Sequence, residues 1–174
     1  SLQPDIRVAI VEAEIAGFGA SGRNGGWCLG GLAGIDAYLD GDEGQRAEGI
    51  RLLRAVCDTV DEVGRVSESE GSDCPFQKGG MITVASTPFQ QSDLKGYAEQ
   101  MRELGMGDDF YWLEPTESDA HVRTRGSLGG VFSPHCAAIQ PARLARGLAS
   151  ILDSKGVKIY EKSPVVGIEG KQVT

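Results

Sequence analysis

The sequence predicts a mixed α/β (α+β) chain, and three observations predict it. Short apolar or β-branched runs alternate with longer stretches of helical periodicity. The chain closes on a helix followed by a strand, the second half of a βαβ unit. Glycine crowds the first third, at Gly17, Gly19, Gly22, Gly25, Gly26, Gly30, Gly31 and Gly34, shortly after the first strand. Glycine permits positive φ and lets a ligand approach the backbone closely.

The elements follow in order. Arg7-Val-Ala-Ile-Val11 is a short apolar run ending at Glu12 and reads as a buried strand of a parallel sheet. Little precedes it, so a parallel sheet would recruit its neighbours from later in the chain or lack them. Residues 17–34 read as one long glycine-rich loop. A helix follows over 43–69, because Ala47, Ile50, Leu53, Val56, Val60 and Val63 recur every three or four residues on one face. Residues 79–85 read as a strand entered through a glycine pair. A second helix spans 88–104 and stops at Gly105. Tyr111-Trp-Leu113 is a short strand. Glu114-Pro-Thr-Glu then opens a helix, with proline in its first turn and acids at its positive end. Residues 129–132 form another strand. Pro141 opens a helix that carries Leu144, Leu148, Ile151 and Leu152 on one face and closes at Gly156. Strands at 157–160 and 165–168 complete the pattern.

Composition narrows the function classes. The 174 residues carry 17 basic and 25 acidic side chains, 17 − 25 = −8, so a nucleic-acid backbone is an unfavourable partner. Cys28, Cys57, Cys74 and Cys136 form no CxxC pair, and two histidines complete the set of soft ligands, so no metal site is expected. Unpaired cysteines point to a reducing cytoplasmic location. No apolar run reaches the length of a bilayer span.

Gly17-Phe-Gly19-Ala-Ser-Gly22 matches GxGxxG literally. The dinucleotide fingerprint places its glycines directly after a strand and at the opening of a helix, with an acid about 20 residues on. Here Glu12-Ala-Glu-Ile-Ala16 intervenes, and the residues after Gly22 hold too much glycine for a helix. The literal match is therefore rejected. Glu12 fits better. An acid at the tip of the second strand of a nucleotide-binding fold accepts hydrogen bonds from the adenosine ribose hydroxyls, which a carboxylate's lone pairs suit. Taken alone, Glu12 is more simply a solvated strand end. The following loop shifts that balance.

That loop reads Gly19-Ala-Ser-Gly-Arg-Asn-Gly-Gly26 and follows a strand ending in Val-Glu-Ala. The combination resembles the FAD-dependent oxidoreductases of the D-amino-acid oxidase and glycine oxidase type, nearest to their γ-glutamylputrescine oxidoreductase-like branch. Lys78-Gly-Gly-Met-Ile-Thr-Val, Gly129-Gly-Val-Phe-Ser-Pro, Ile139-Gln-Pro-Ala-Arg-Leu and Ser163-Pro-Val-Val continue it in the family's order. The resemblance implies a partial FAD-binding, Rossmann-like domain of the glutathione-reductase type, interleaved with part of an antiparallel-sheet substrate domain. Residues 1–75 and 139–174 would belong to the first and 76–138 to the second. The family's N-terminal strand with its phosphate-binding glycines, and its later segments, are expected to lie outside the sequence, which then reads as truncated at both ends.

Carried over residue by residue, the resemblance gives Glu12 and the adjoining Ala13 the adenosine ribose. Ser21, Gly22, Arg23, Asn24, Gly25 and Gly26 line the region from diphosphate to flavin. Val165, with Val166 as the fallback, meets the adenine through its backbone. Glycine-loop amides reach phosphate and flavin oxygens with no Cβ in the way. Arg23 either adds positive charge or fixes the loop as a donor. The implied reaction moves hydride from a carbon bearing an amine to the flavin, gives an imine that hydrolyses, and returns electrons to oxygen as hydrogen peroxide. The partner is a small amine or amino acid, and no acid or base in the chain is assigned to the chemical step. The rival is a catalytically inert domain with only a structural or interaction role.

Other residues carry plain readings. His121 reads as a surface residue of its helix and His135 as structural, with a cavity-facing role as the lesser option. Cys28 and Cys136 read as small buried side chains. Trp27 packs either on the flavin side or in the core.

Overall fold

The computed structural model describes residues 6–174. Its first third holds β1 (Ala9–Val11), a 3₁₀ turn (Ala20–Gly22), β2 (Trp27–Leu29), α1 (Asp36–Leu39) and α2 (Glu43–Ser69). The middle holds β3 (Phe76–Lys78), β4 (Met81–Val84), α3 (Pro88–Glu103), β5 (Tyr111–Leu113), α4 (Pro115–His121), β6 (Gly130–Ser133) and β7 (Cys136–Ile139). The last part holds α5 (Pro141–Ser154), β8 (Lys158–Tyr160), β9 (Ile168–Glu169) and β10 (Gln172–Val173). The chain is mixed α/β with both parallel and antiparallel pairing.

Helix boundaries follow local chemistry. Asp42 Oδ1 accepts from Gln45 N at 2.9 Å while Gln45 Oε1 accepts from Asp42 N at 3.0 Å, a reciprocal cap that starts α2. Thr87 Oγ1 accepts from Gln90 N at 3.2 Å ahead of Pro88, and Gly105 at φ +73° follows the end of α3. Gln140 Oε1 accepts from Arg143 N at 2.6 Å ahead of Pro141, and Gly156 at φ +84° follows the end of α5. In α4, Glu117 Oε2 reaches back to Glu114 N at 2.9 Å.

Several sequence expectations need correction: β1 is exposed along its length rather than buried, and α1 and β7 form where no element was expected. Residues 17–34 are not one loop, because the 3₁₀ turn and β2 lie inside the segment. β3 is an added strand, too short to show periodicity. The strand expected at 165–168 forms instead at Ile168–Glu169, where it pairs with β10 across Gly170 at φ +60°. Val165, Val166 and Gly167 have no regular structure, since the amides of Val166 and Gly167 both turn to Thr174 O.

The contacts divide the chain into two compact units. One comprises Cys28–Val63 and Gln77–Ala138. Its antiparallel sheet has the order β4-β6-β5, with Ile82 opposite Phe132 and Tyr111 opposite Phe132 on the other edge. Leu39, Leu53, Met101 and Met106 are wholly buried, packed with Ile35, Cys57, Phe110 and Val131. The core face of α2 runs through Leu53 and Cys57; Ala47 is exposed.

The other unit comprises the segment ending at Trp27, Gly64–Phe76 and Ile139–Thr174. Its centre is a parallel pair in which Ala9, Ile10 and Val11 lie opposite Lys158, Ile159 and Tyr160. The partner of the first strand thus comes from late in the chain, as a βαβ crossover requires. Gly64 of α2 lets Phe76 approach so closely that a Cβ there would lie 2.6 Å from its ring.

Candidate cofactor-binding site

Glu12 emerges from the end of β1 with its backbone fixed on both sides. Its N–H donates to Tyr160 O at 2.9 Å and its carbonyl accepts from Ser163 N at 2.9 Å. One carboxylate oxygen accepts from Glu14 N at 3.0 Å, which curls the following turn around the acid. The half-buried side chain has no cation paired with it among the described residues, so its second oxygen is available as an acceptor. Ala13 lies beside it, exposed. Lys162 returns the chain from β8 across this end: its N–H donates to Glu14 O at 2.8 Å and its ammonium pairs with the Glu14 carboxylate. Lys162 adopts φ 54°, unusual for a side-chain-bearing residue. Val165 follows two residues after Ser163, 46% exposed.

The glycine loop braces itself. Gly17, at φ +83°, and Gly22 meet backbone to backbone, and a Cβ on Gly22 would lie 1.9 Å from Gly17 O. The first and last glycines of the literal GxGxxG therefore form a close chain crossing, not a phosphate turn that opens a helix. Asn24 closes the rest. Its Nδ2 donates to Ala20 O at 3.2 Å and Ser21 O at 3.1 Å, while its Oδ1 accepts from Gly26 N at 2.9 Å. Gly26, at φ +78°, lies so near Ile139 O that a Cβ would be 2.3 Å from it.

Gly25 is different, with open space where a Cβ would stand. Among the described residues, the amides of Asn24 and Gly25 have no partner within the chain. Ser21 is exposed on the 3₁₀ turn. The Arg23 side chain has no hydrogen-bond partner among the described residues; its guanidinium lies 4.1 Å over the Phe18 ring. Phe18, Tyr160, Lys162 and Ser163 were not singled out as site residues in the sequence.

These residues fit one side of an FAD. The group presents a ribose diol, which suits a carboxylate with a free oxygen, and an anionic diphosphate, which suits exposed loop amides and an unpaired guanidinium. The chain brings Glu12 together with the segment leading to Val165, and Ser21 to Gly26 within one turn.

The remaining candidates have other settings. His135 Nε2 lies 2.7 Å from Asp109 Oδ1, in the unit containing the antiparallel sheet. His121 is exposed and stacks on Phe132 at 4.6 Å. Cys136 is buried and Cys28 only partly so; burial raises both thiols above their ordinary range. Trp27 is 72% exposed and takes no core role. Among the described residues no helix is long and apolar enough to cross a membrane.

Comparison with known proteins places the chain in a family. The chain is 29% identical over 167 residues to the probable oxidoreductase OrdL of Haemophilus influenzae, covering 95% of this chain and 38% of that protein. It is 27% identical to the γ-glutamylputrescine oxidoreductase of Escherichia coli, covering 93% of this chain and 37% of that one. The chain thus spans well under half the length of these curated relatives. A crystal structure of glycine oxidase from Bacillus cereus shares the fold, with TM-score 0.70 and 22% identity over 99% of this chain and 44% of that one. The family model described as FAD dependent oxidoreductase (DAO) matches residues 1–174, and the chain belongs to that FAD-dependent family.

Proposed function

We propose that the whole protein oxidises a C–N bond of a small amine or amino acid, and that this chain supplies the ribose contact and the loop beside the diphosphate and flavin. The observation that carries this is the pairing of Glu12, fixed at the tip of the parallel strands, with a rigid glycine loop whose free donors lie at Asn24, Gly25 and Arg23. Bound FAD supplies the hydride acceptor and the route to oxygen. The chain's own residues bind and orient. Glu12 accepts from the ribose diol with the oxygen that Glu14 N leaves free. Glu14 N holds that carboxylate before the cofactor arrives, so little side-chain freedom is lost on binding. Asn24 holds Ser21 and Gly26 in place, so the loop amides meet the anion already aligned. Val165 contributes its backbone to the adenine edge. A substrate of the amine or amino-acid class accords with the names of the relatives, γ-glutamylputrescine oxidoreductase and glycine oxidase.

The experiment is direct. The whole protein purifies yellow and releases peroxide with an amine or amino acid. A protein that stays colourless after incubation with FAD would sink the proposal. Glu12→Ala weakens FAD binding by roughly tenfold or more, the worth of hydrogen bonds to a charged acceptor. Turnover at saturating FAD is unchanged, because the ribose takes no part in the chemistry.

A further inference from the structure

We propose that Phe18 is a positioning residue, which holds the Arg23 guanidinium as a preset fork for the cofactor's diphosphate. This rests on the cofactor reading above and names a residue that it leaves unassigned.

The backbone sets the pair up. Gly17 and Gly22 are in direct contact, and Phe18 N donates to Ile15 O at 2.9 Å while Arg23 N donates to Ala20 O at 3.2 Å. The residues that follow the crossing, Phe18 and Arg23, are thereby delivered side by side. The guanidinium settles 4.1 Å over the ring. Both side chains are on the surface, Phe18 at 44% exposure, so burial does not explain the aromatic.

The choice of partner is informative. Arg51, Arg102, Arg143 and Arg146 each pair with a carboxylate in this acidic chain. Those carboxylates occupy the in-plane N–H groups and cancel the charge. A ring face does neither. Held 4.1 Å over the ring centroid, the guanidinium is restrained without a carboxylate partner, and an N–H fork free of one suits two-point binding of a phosphate. Lysine in place of Arg23 keeps the charge and loses the fork.

The test is FAD affinity of the whole protein, measured by flavin fluorescence with salt varied. Phe18→Leu raises the dissociation constant about two- to fivefold and flattens its salt dependence, because the charge is no longer held in register. Phe18→Tyr restores both. In an Arg23→Ala background, Phe18→Leu has no further effect. If Phe18→Leu leaves affinity and salt slope unchanged while Glu12→Ala still weakens binding, this inference fails and the cofactor reading stands. If Phe18→Leu costs the same with and without Arg23, Phe18 acts on the loop fold and the inference fails. If neither Glu12→Ala nor Arg23→Ala alters binding, the cofactor reading itself is overturned.

Discussion

The two compact units hold their shape by different means. The unit built on β4-β6-β5 has a closed apolar core, with Leu53, Met101 and Met106 removed from water. In the unit that carries the candidate site, Ile10 and Val11 of β1 are exposed to 37% and 47%. Order there comes from backbone crossings at Gly17 and Gly22, from the three hydrogen bonds of Asn24, and from the carbonyl and amide of Glu12. A core tolerates small shifts of its side chains because dispersion is summed over many contacts. A crossing of two backbones has no such slack. The difference teaches where specificity resides: the core sets whether the chain folds, and the loop sets what the folded chain can hold.

The largest expected effect lies in the core. Met101→Ala removes a fully buried side chain and leaves a cavity, costing about 2–5 kcal/mol in denaturant unfolding of the whole protein. FAD affinity of the molecules that remain folded is unchanged. A loss below about 1 kcal/mol would show that the site collapses freely and is no true core.

Gly22→Ala tests the other side of the comparison. Its new Cβ would meet Gly17 O at 1.9 Å, and both partners are backbone, so the crossing must open. The expected stability loss is about 1–3 kcal/mol, smaller than in the core. FAD affinity falls by more than this stability loss alone accounts for, because the loop donors lose alignment. Gly25→Ala is the control. Open space surrounds its Cβ, so stability stays within about 0.5 kcal/mol of the parent. Equal effects from the two substitutions would show that the crossing does not organise the loop.

How much of this was legible in the sequence depended on range. α2 is found at the residues that its periodicity marked, and the ends of α3 and α5 follow from Pro88, Gly105, Pro141 and Gly156, whose effects are local. The three-residue β2 and β3 were missed because two or three residues carry no period. The strand expected at 165–168 moved because Thr174 O captures the amides of Val166 and Gly167, a contact that periodicity cannot signal. In the candidate site, Glu12 and the glycine loop were visible as motifs. The crossing of Gly17 and Gly22 and the placement of Arg23 over the Phe18 ring were not, because both depend on a turn whose path becomes apparent only in three dimensions.

The smallest expected effect is electrostatic and sits where β8 meets the start of the loop. Glu161 Oε1 accepts from Ala16 N at 2.9 Å and from Arg146 Nη1 at 2.9 Å. The backbone amide first, and then the charge of Arg146, hold this carboxyl below its ordinary value. A carboxyl depressed in the folded chain binds fewer protons there than in the unfolded one. Its contribution to stability is therefore fully present above the unfolded glutamate value, about 4.3, and is lost as pH falls through the lower folded value. Glu161→Gln keeps an oxygen for Ala16 N and removes the titration. The expected result is a slightly lower thermal midpoint at neutral pH and a shallower decline with acid. The group is exposed, so the effect is near the low end for surface pairs and shrinks further in salt. An acid limb identical in the two proteins would show that the ionisation of Glu161 contributes nothing to the fold.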